Sequence, residues 1–174
     1  HGVDYYTGLL TSQVADYYAW DRTENGVTTT DSTYVTTALT DAAITWTQAQ
    51  TQPWFLWLAH VAPHGPFHEP PAALYSISPT GTNRRKYVAA IEAMDHELGR
   101  LLDSLPTAVR NNTVVIFVGD NGTPVTVLQN YPSGQGKGTI YQGGIHVPMV
   151  IAGQGVTRRG ETEEALLHIT DLYA

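Results

Sequence analysis

The chain contains no cysteine among its 174 residues. This absence excludes disulfide bonds, zinc sites built on thiolates and a cysteine nucleophile within these residues, and it says little about the compartment. Any metal ligand or nucleophile that the chain itself supplies must therefore be an oxygen- or nitrogen-bearing side chain.

Charged residues are scarce, at 14% of the chain, and positive ones are the scarcest. Nine lysines and arginines stand against sixteen aspartates and glutamates, which gives a formal net charge of -7. The longest basic run is residues 84–86. This balance argues against nucleic acid as a partner, because binding to phosphates requires a basic surface. No apolar stretch reaches about 18 residues, so no membrane-spanning helix is predicted.

Hydrophobic residues make up 42% of the chain, which is enough for one globular domain with a core. Apolar runs of strand length occur at residues 54–62, 113–119 and 147–152, and the first two are typical of strands buried on both faces. Helical spacing of apolar residues occurs at residues 32–50, capped by Asp31 and Ser32, and at residues 83–104, capped by Thr82 or Asn83. This alternation predicts an α/β fold with a mostly parallel sheet and flanking helices.

The two ends of the chain have weaker patterns. Residues 1–30 predict loop with short strands at residues 11–15 and 17–20 and a turn at Asn25 and Gly26. A further helix is predicted over residues 161–174. Since the chain begins at His1 rather than methionine and stops within this helical pattern, we expect it to be part of a longer protein.

The most informative stretch is residues 112–148. Asp120 and Asn121 follow the apolar strand at its carboxyl end, where open α/β sheets place their ligands. Carboxylate and amide oxygens are ligands of Ca²⁺ and Mg²⁺, so this pair is a candidate cation site. The alternative is a simple turn with an Asx-type hydrogen bond, and the pair alone favours that alternative.

Lys137 lies in a glycine-rich segment, residues 134–144, and changes that balance. Glycines let the backbone approach a ligand closely, and a single ammonium beside a cation site can bind an anion. The segment is not a Walker A loop, because Tyr131 and Gly138 occupy positions where that motif needs glycine and serine or threonine.

Three histidines, His60, His64 and His68, are spaced four residues apart. On a helix this spacing would form a metal-binding face, but the four prolines between residues 63 and 71 exclude a helix. We expect His60 to lie in the core and His64 to be functional, because His64 lies on a stiff loop at the end of the predicted strand 54–62.

Five blocks of the chain together resemble successive blocks of the sulfatases, within the alkaline-phosphatase-like superfamily. They are residues 55–64, 87–102, 113–122, 136–148 and 168–172, and residues 1–8 resemble the segment that precedes them. The resemblance implies a three-layer α/β sandwich and covers only the second half of the family's catalytic domain. It also implies a sulfated small molecule or glycan as substrate and a periplasmic, secreted or lysosome-like compartment.

The resemblance assigns roles to individual residues. It implies that Asp120 and Asn121 are ligands of a divalent cation, usually Ca²⁺ and alternatively one such as Mg²⁺. Lys137 would contact the sulfate oxygens, and His64 would lie beside the ester oxygen that leaves. These types suit the chemistry, because negative charge moves toward the leaving oxygen during cleavage.

Other family features are missing from the 174 residues. There is no pair of aspartates for the remaining metal ligands and no Cys/Ser-x-Pro-Ser-Arg signature, which matures to formylglycine, nor the lysine and histidine that follow it. We therefore expect the chain alone to be inactive and to hold Ca²⁺ poorly. Separately, we expect it to self-associate through exposed apolar surface. Alternatives to a sulfuric ester hydrolase are a phosphonate or phosphate ester hydrolase of the same superfamily and a non-catalytic relative that binds anions or glycans.

Overall fold

The first part of the protein forms a small antiparallel sheet. A computed structural model describes residues 2–173, and its first strands are β1 (Thr7–Gly8), β2 (Trp20–Glu24) and β3 (Val27–Asp31). Asn25 and Gly26 join β2 to β3 with positive φ values of 46° and 90°. Asparagine and glycine are favoured there, because such φ values suit a two-residue turn between antiparallel strands. The predicted turn is confirmed, but the strands predicted at residues 11–15 and 17–20 are wrong, since β2 begins only at Trp20.

Two long helices, α1 (Val35–Gln48) and α2 (Asn83–Ser104), pack against each other. α2 begins where the sequence predicts, since Thr82 Oγ1 accepts a hydrogen bond from Arg85 N at 3.3 Å. α1 begins later than predicted. Asp31 Oδ1 accepts a hydrogen bond from Thr33 N at 2.7 Å instead of capping the helix, so the predicted cap at Asp31 and Ser32 is wrong.

The central apolar strand is present as β4 (Val114–Val118), and it pairs with β5 (Met149–Gly153). The pairing is antiparallel, with Val118 opposite Met149. The α/β class is confirmed, but both sheets within residues 2–173 are antiparallel, and the mostly parallel sheet is not formed there. The reason is the connection: a parallel pair needs a crossover, usually through a long helix, whereas β4 and β5 are joined by turns and short helices only.

Residues 54–62 and 161–168 differ from the prediction. Residues 54–62 have no strand partner in the described part of the chain, and Phe55 and Trp57 are 80% and 69% exposed. Val114 and Ile116 on β4 are also exposed, so neither apolar run is buried on both faces here. Residues 161–168 form no helix; a 3₁₀ turn follows at Ile169–Tyr173. The last residue of the predicted helix, Ala174, lies outside the described residues.

Short helical elements lie between these longer ones. They are α3 (Thr107–Asn111), α4 (Gln142–Ile145) and the 3₁₀ turns Ala72–Leu74 and Val125–Val127. Among residues 2–173, no helix combines the length and the apolar character that crossing a bilayer requires.

The core lies between the N-terminal segment and the two long helices. Its buried members include Tyr17 and Trp20 before and in β2, Leu39 on α1 and Met94 on α2. Ala62 belongs to the same cluster, and Phe117 of β4 packs against it. One core therefore supports both the loop that carries His64 and β4, which Asp120 follows.

His60, which we expected to lie in the core, is partly buried; both of its ring nitrogens are buried, and neither has a hydrogen-bond partner among the described residues. Burial lowers the pKa of His60 from 6.5 to about 4. Between these two values the unfolded chain binds more protons than the folded one, so stability should fall as the pH is lowered from about 6.5 to about 4. The maximal contribution of this one group is about 3 kcal/mol.

Urea unfolding at a series of pH values tests this expectation. The variant His60→Leu should flatten the dependence of the unfolding free energy on pH in this interval, because leucine does not titrate. His96→Gln, at an exposed histidine on α2, is the matched control and should leave the dependence unchanged. An unaltered slope in His60→Leu would contradict the assignment.

Candidate functional site

Asp120 and Asn121 lie directly after β4, at an exposed turn. Gly119 N donates to Pro148 O at 3.0 Å, which fixes the start of the turn beside β5. The Asp120 carboxylate makes no hydrogen bond or ion pair within residues 2–173. Asn121 Nδ2 donates to Gly122 O at 3.0 Å, which leaves Asn121 Oδ1 free as an acceptor. The Asx-type alternative requires this oxygen to accept a backbone N–H, and no such bond is formed in the described residues.

The backbone joins this turn to the segment that carries Lys137. Gly122 N donates to Gly144 O at 2.9 Å, and Lys137 N donates to Thr123 O at 2.9 Å. Two stretches far apart in sequence are thus held side by side by main-chain hydrogen bonds. The acid–amide pair and the lysine therefore belong to one structural unit.

Most of the glycines in this unit are needed for backbone packing rather than for the approach of a ligand. A Cβ atom on Gly122 would lie 2.1 Å from Gly143 O, and one on Gly144 would lie 2.2 Å from Thr139 O. A Cβ on Gly136 would lie 2.6 Å from Thr123 O. A larger residue at Gly122 or Gly136 would force the two stretches apart, and one at Gly144 would disrupt the glycine-rich stretch itself. Gly138 serves conformation instead, since its φ is +84° and nothing lies near its missing Cβ.

The Lys137 side chain is exposed, and within residues 2–173 its ammonium forms no hydrogen bond or ion pair. The protein has one other lysine, Lys86, in the first turn of α2. An ammonium that balances no carboxylate in the described residues remains available to bind an anion.

His64 lies in the tight turn after residues 54–62, where His64 N donates to Val61 O at 2.9 Å. Tyr17 Oη donates to His64 O at 2.7 Å. His64 Nδ1 lies 2.8 Å from Gly65 O, and because a carbonyl oxygen only accepts, Nδ1 must carry the hydrogen. Nε2 is then the ring nitrogen left to exchange a proton with a ligand.

The structure joins three of the four predicted site residues by main-chain hydrogen bonds, and in the part of the chain that it describes it does not join the fourth, His64, to them in this way. Asp120, Asn121 and Lys137 are joined through main-chain hydrogen bonds, as described above. Ala62, two residues before His64, lies in the core against which Phe117 of β4 packs. Within residues 2–173 no hydrogen bond connects His64 directly with the other three.

The donor set of the turn fits a hard cation in kind. Asp120 and Asn121 offer a carboxylate and an amide oxygen, both free of protein partners in the described residues. Among those residues no group of three or more histidine, aspartate or glutamate side chains is placed to hold a metal ion. Ca²⁺ takes roughly six to eight oxygen ligands, so most ligands of such an ion would have to come from outside the described residues.

No local sequence pattern indicates the residues that contact the His64 loop. Tyr18 Oη donates to Glu69 O at 2.7 Å, and Tyr34 Oη lies 2.9 Å from His68 Nε2. The two contacts join residues that are 51 and 34 positions apart in the chain, respectively. The only signal was the number of tyrosines near the N-terminus, and that number indicates no particular partner.

The chain is similar to known sulfatases. A family model described as Sulfatase matches residues 1–174. Arylsulfatase J of Mus musculus is 31% identical over 163 residues, which are 91% of this chain and 26% of that protein. N-acetylgalactosamine-6-sulfatase of Homo sapiens is 32% identical over 134 residues, or 72% of this chain and 24% of that protein.

Solved structures give the same picture. The crystal structure of Ps i-CgsB matches with a TM-score of 0.68 and 28% sequence identity, covering 78% of this chain and 31% of that one. The chain thus spans between 24% and 31% of the length of these three matched proteins.

Proposed function

This chain belongs to the sulfatase family, with an alkaline-phosphatase-like α/β fold, and from that membership we propose that it forms the second part of a sulfatase catalytic domain. The complete enzyme hydrolyses sulfuric esters. Its nucleophile, a formylglycine, comes from the part of the protein outside these 174 residues. The proposal rests on the family and on the site geometry together, since a fold alone does not determine a reaction.

One observation carries the proposal: the main-chain bonds from Gly122 to Gly144 and from Lys137 to Thr123. They hold the turn that carries Asp120 and Asn121 beside the turn that carries Lys137, which supports a shared role for these three side chains. A sulfate ester needs both the cation ligands and the ammonium, because its oxygens carry negative charge that increases toward the leaving group during cleavage. Positive charges already in place beside the sulfate oxygens stabilise that increase without reorganisation of the site.

Each of the four site residues then has a defined role. Asp120 and Asn121 would hold a divalent cation, Ca²⁺ or one such as Mg²⁺, which when bound supplies positive charge to the sulfate oxygens. The Lys137 ammonium binds a sulfate oxygen and orients the ester. His64, protonated on both nitrogens, donates from Nε2 to the departing oxygen and prevents an alkoxide from accumulating.

The substrate in this proposal is a sulfated small molecule or glycan. A second structure of the similar protein is described as a complex of Ps i-CgsB with k-i-k-neocarrahexaose, an oligosaccharide bound by that protein. We also propose that the protein is located in the periplasm, outside the cell or in a lysosome-like compartment. The exposed Phe55 and Trp57 support self-association of the chain when it is produced alone.

The proposal is tested with the complete enzyme and two substrates that share one leaving phenol, an aryl sulfate and an aryl phosphate. We expect the sulfate to be hydrolysed faster, and residues 1–174 alone to hydrolyse neither. Asp120→Asn should raise the Ca²⁺ concentration needed for half-maximal activity. Asp103→Asn, at an exposed carboxylate on α2, is the control and should not change it.

Three outcomes would contradict the proposal. Faster hydrolysis of the phosphate would indicate a phosphate ester hydrolase. No hydrolysis of either ester, with the sulfate still bound, would indicate a non-catalytic relative. Turnover by residues 1–174 alone would show that the nucleophile lies within them.

A further inference from the structure

The loop that carries His64 is held by one deeply buried tyrosine. Tyr17 is 1% exposed, and its hydroxyl donates to His64 O at 2.7 Å. Its own backbone is fixed as well, because Val35 N at the start of α1 donates to Tyr17 O at 3.0 Å. Tyr17 therefore holds the backbone of the residue that is the proposed proton donor.

His68 fixes the other side of the same loop. Its ring stacks on that of Tyr17 with centroids 3.6 Å apart and planes inclined by 22°. His68 Nδ1 lies 3.1 Å from Pro66 O, which can only accept, so Nδ1 carries the hydrogen. Nε2 must then accept from Tyr34 Oη at 2.9 Å. Burial lowers the pKa of His68, which favours this neutral form.

These contacts form a continuous chain. Tyr34 donates to His68, His68 donates to Pro66, and Tyr17 lies under the His68 ring while it bonds to His64. We call Tyr17, Tyr34 and His68 the aromatic clamp. The clamp provides hydrogen-bond donors to His64 O and Pro66 O in a loop that is rich in proline and therefore has few N–H groups of its own.

We propose that the aromatic clamp positions His64 for proton donation to the leaving oxygen, with Tyr17 as the principal positioning residue. The inference rests on the proposed function, because it specifies what holds the proton donor of that site. Misplacement of a catalytic group by about 1 Å can cost roughly 100-fold in rate. Loss of one bond to the loop should cost less, and we expect a loss of about tenfold.

The test compares two neighbouring tyrosines in the complete enzyme. Tyr17→Phe removes the bond to His64 O and keeps the ring that stacks on His68. Tyr18→Phe removes a bond of the same length, 2.7 Å, to Glu69 O in the same loop. A series of aryl sulfates whose leaving phenols differ in pKa serves as substrates, with kcat, KM and the thermal midpoint measured for each variant.

The slope of log kcat against the pKa of the leaving phenol is the decisive quantity. A protonated His64 lowers this slope, because it neutralises poor leaving groups. Tyr17→Phe should steepen the slope and lower kcat about tenfold for the poorest leaving group, with KM changed less than about twofold. Tyr18→Phe should leave the slope unchanged. If Tyr17→Phe does not fold, Tyr34→Phe, which breaks the bond to His68, should steepen the slope in the same direction.

Failure of this inference can be told apart from failure of the proposed function. If His64→Ala steepens the slope but Tyr17→Phe lowers kcat equally for all substrates, or not at all, the clamp does not position His64. The function then stands. If His64→Ala leaves the slope unchanged, His64 is not the proton donor and the proposed role of the site fails with the inference.

Discussion

Replacing Lys137 by alanine should lower kcat/KM for an aryl sulfate roughly 100- to 1,000-fold in the complete enzyme. The ammonium forms no hydrogen bond or ion pair in the described residues, so its removal breaks nothing in the fold that they show. The Lys137 backbone bond to Thr123 O remains in the variant. The loss should therefore appear in catalysis and not in the thermal midpoint, and steady-state kinetics with differential scanning calorimetry measure both.

Lys86→Ala provides the matched control for this variant. It removes the same charge from the first turn of α2, so it reproduces any effect of net charge on the binding of an anionic substrate. We expect its kcat/KM to stay within about threefold of the parent enzyme, since solvent screens much of the field of a partly exposed ammonium. Equal losses in the two variants would show that Lys137 acts only through the overall charge.

The sequence predicts the part of the site that is carried by short, local patterns. Asp120 and Asn121 follow an apolar strand directly, and Lys137 lies among glycines whose number is unusual. The pattern did not show why those glycines are there. The reason is a close backbone contact between residues 122–123 and 136–144, and such a contact is visible only in three dimensions.

In the fold, too, the elements that depend on local sequence patterns were predictable. α2 has a cap and a long apolar stripe, both local properties, and its bounds agree with the prediction. The partner of a strand is not a local property. Residues 54–62 alternate between partly buried and exposed positions and pair with nothing in the described residues, and β4 pairs antiparallel with a strand that follows a long loop. The aromatic clamp was missed for the same reason, because Tyr17 and His64 lie 47 positions apart.

The contact between α1 and α2 contains a charge that the sequence did not reveal. Glu97 on α2 is only 2% exposed. Its carboxylate accepts hydrogen bonds from Thr37 Oγ1 and from Arg100 Nε, each at 2.8 Å. Arg100 also reaches α1 through Asp41 Oδ1 at 2.7 Å. A buried carboxylate is tolerated here because it is paired and hydrogen-bonded.

Arg100→Met should destabilise the protein by about 3 kcal/mol, because it leaves the Glu97 carboxylate buried with one neutral partner. The value is at the lower end of the range for buried pairs, since the Arg100 side chain is 36% exposed and water reaches its site. Removing both charges in Arg100→Met/Glu97→Gln should recover part of the loss, because no ion then remains unpaired. Urea unfolding monitored by circular dichroism measures the three free energies.

Arg110→Met separates this effect from the loss of any surface arginine. Arg110 pairs with Asp103 at the same distance of 2.7 Å, but the two side chains are 52% and 74% exposed. Exposed pairs contribute about 0–1 kcal/mol, so this variant should change stability little. If Arg100→Met costs no more than Arg110→Met, the Glu97 carboxylate is solvated in solution and the contact between α1 and α2 does not depend on its pairing. A larger cost for Arg100→Met, recovered in part by Glu97→Gln, would show that the ion pair fixes the helix contact on which Tyr34, Tyr17 and hence the His64 loop rest.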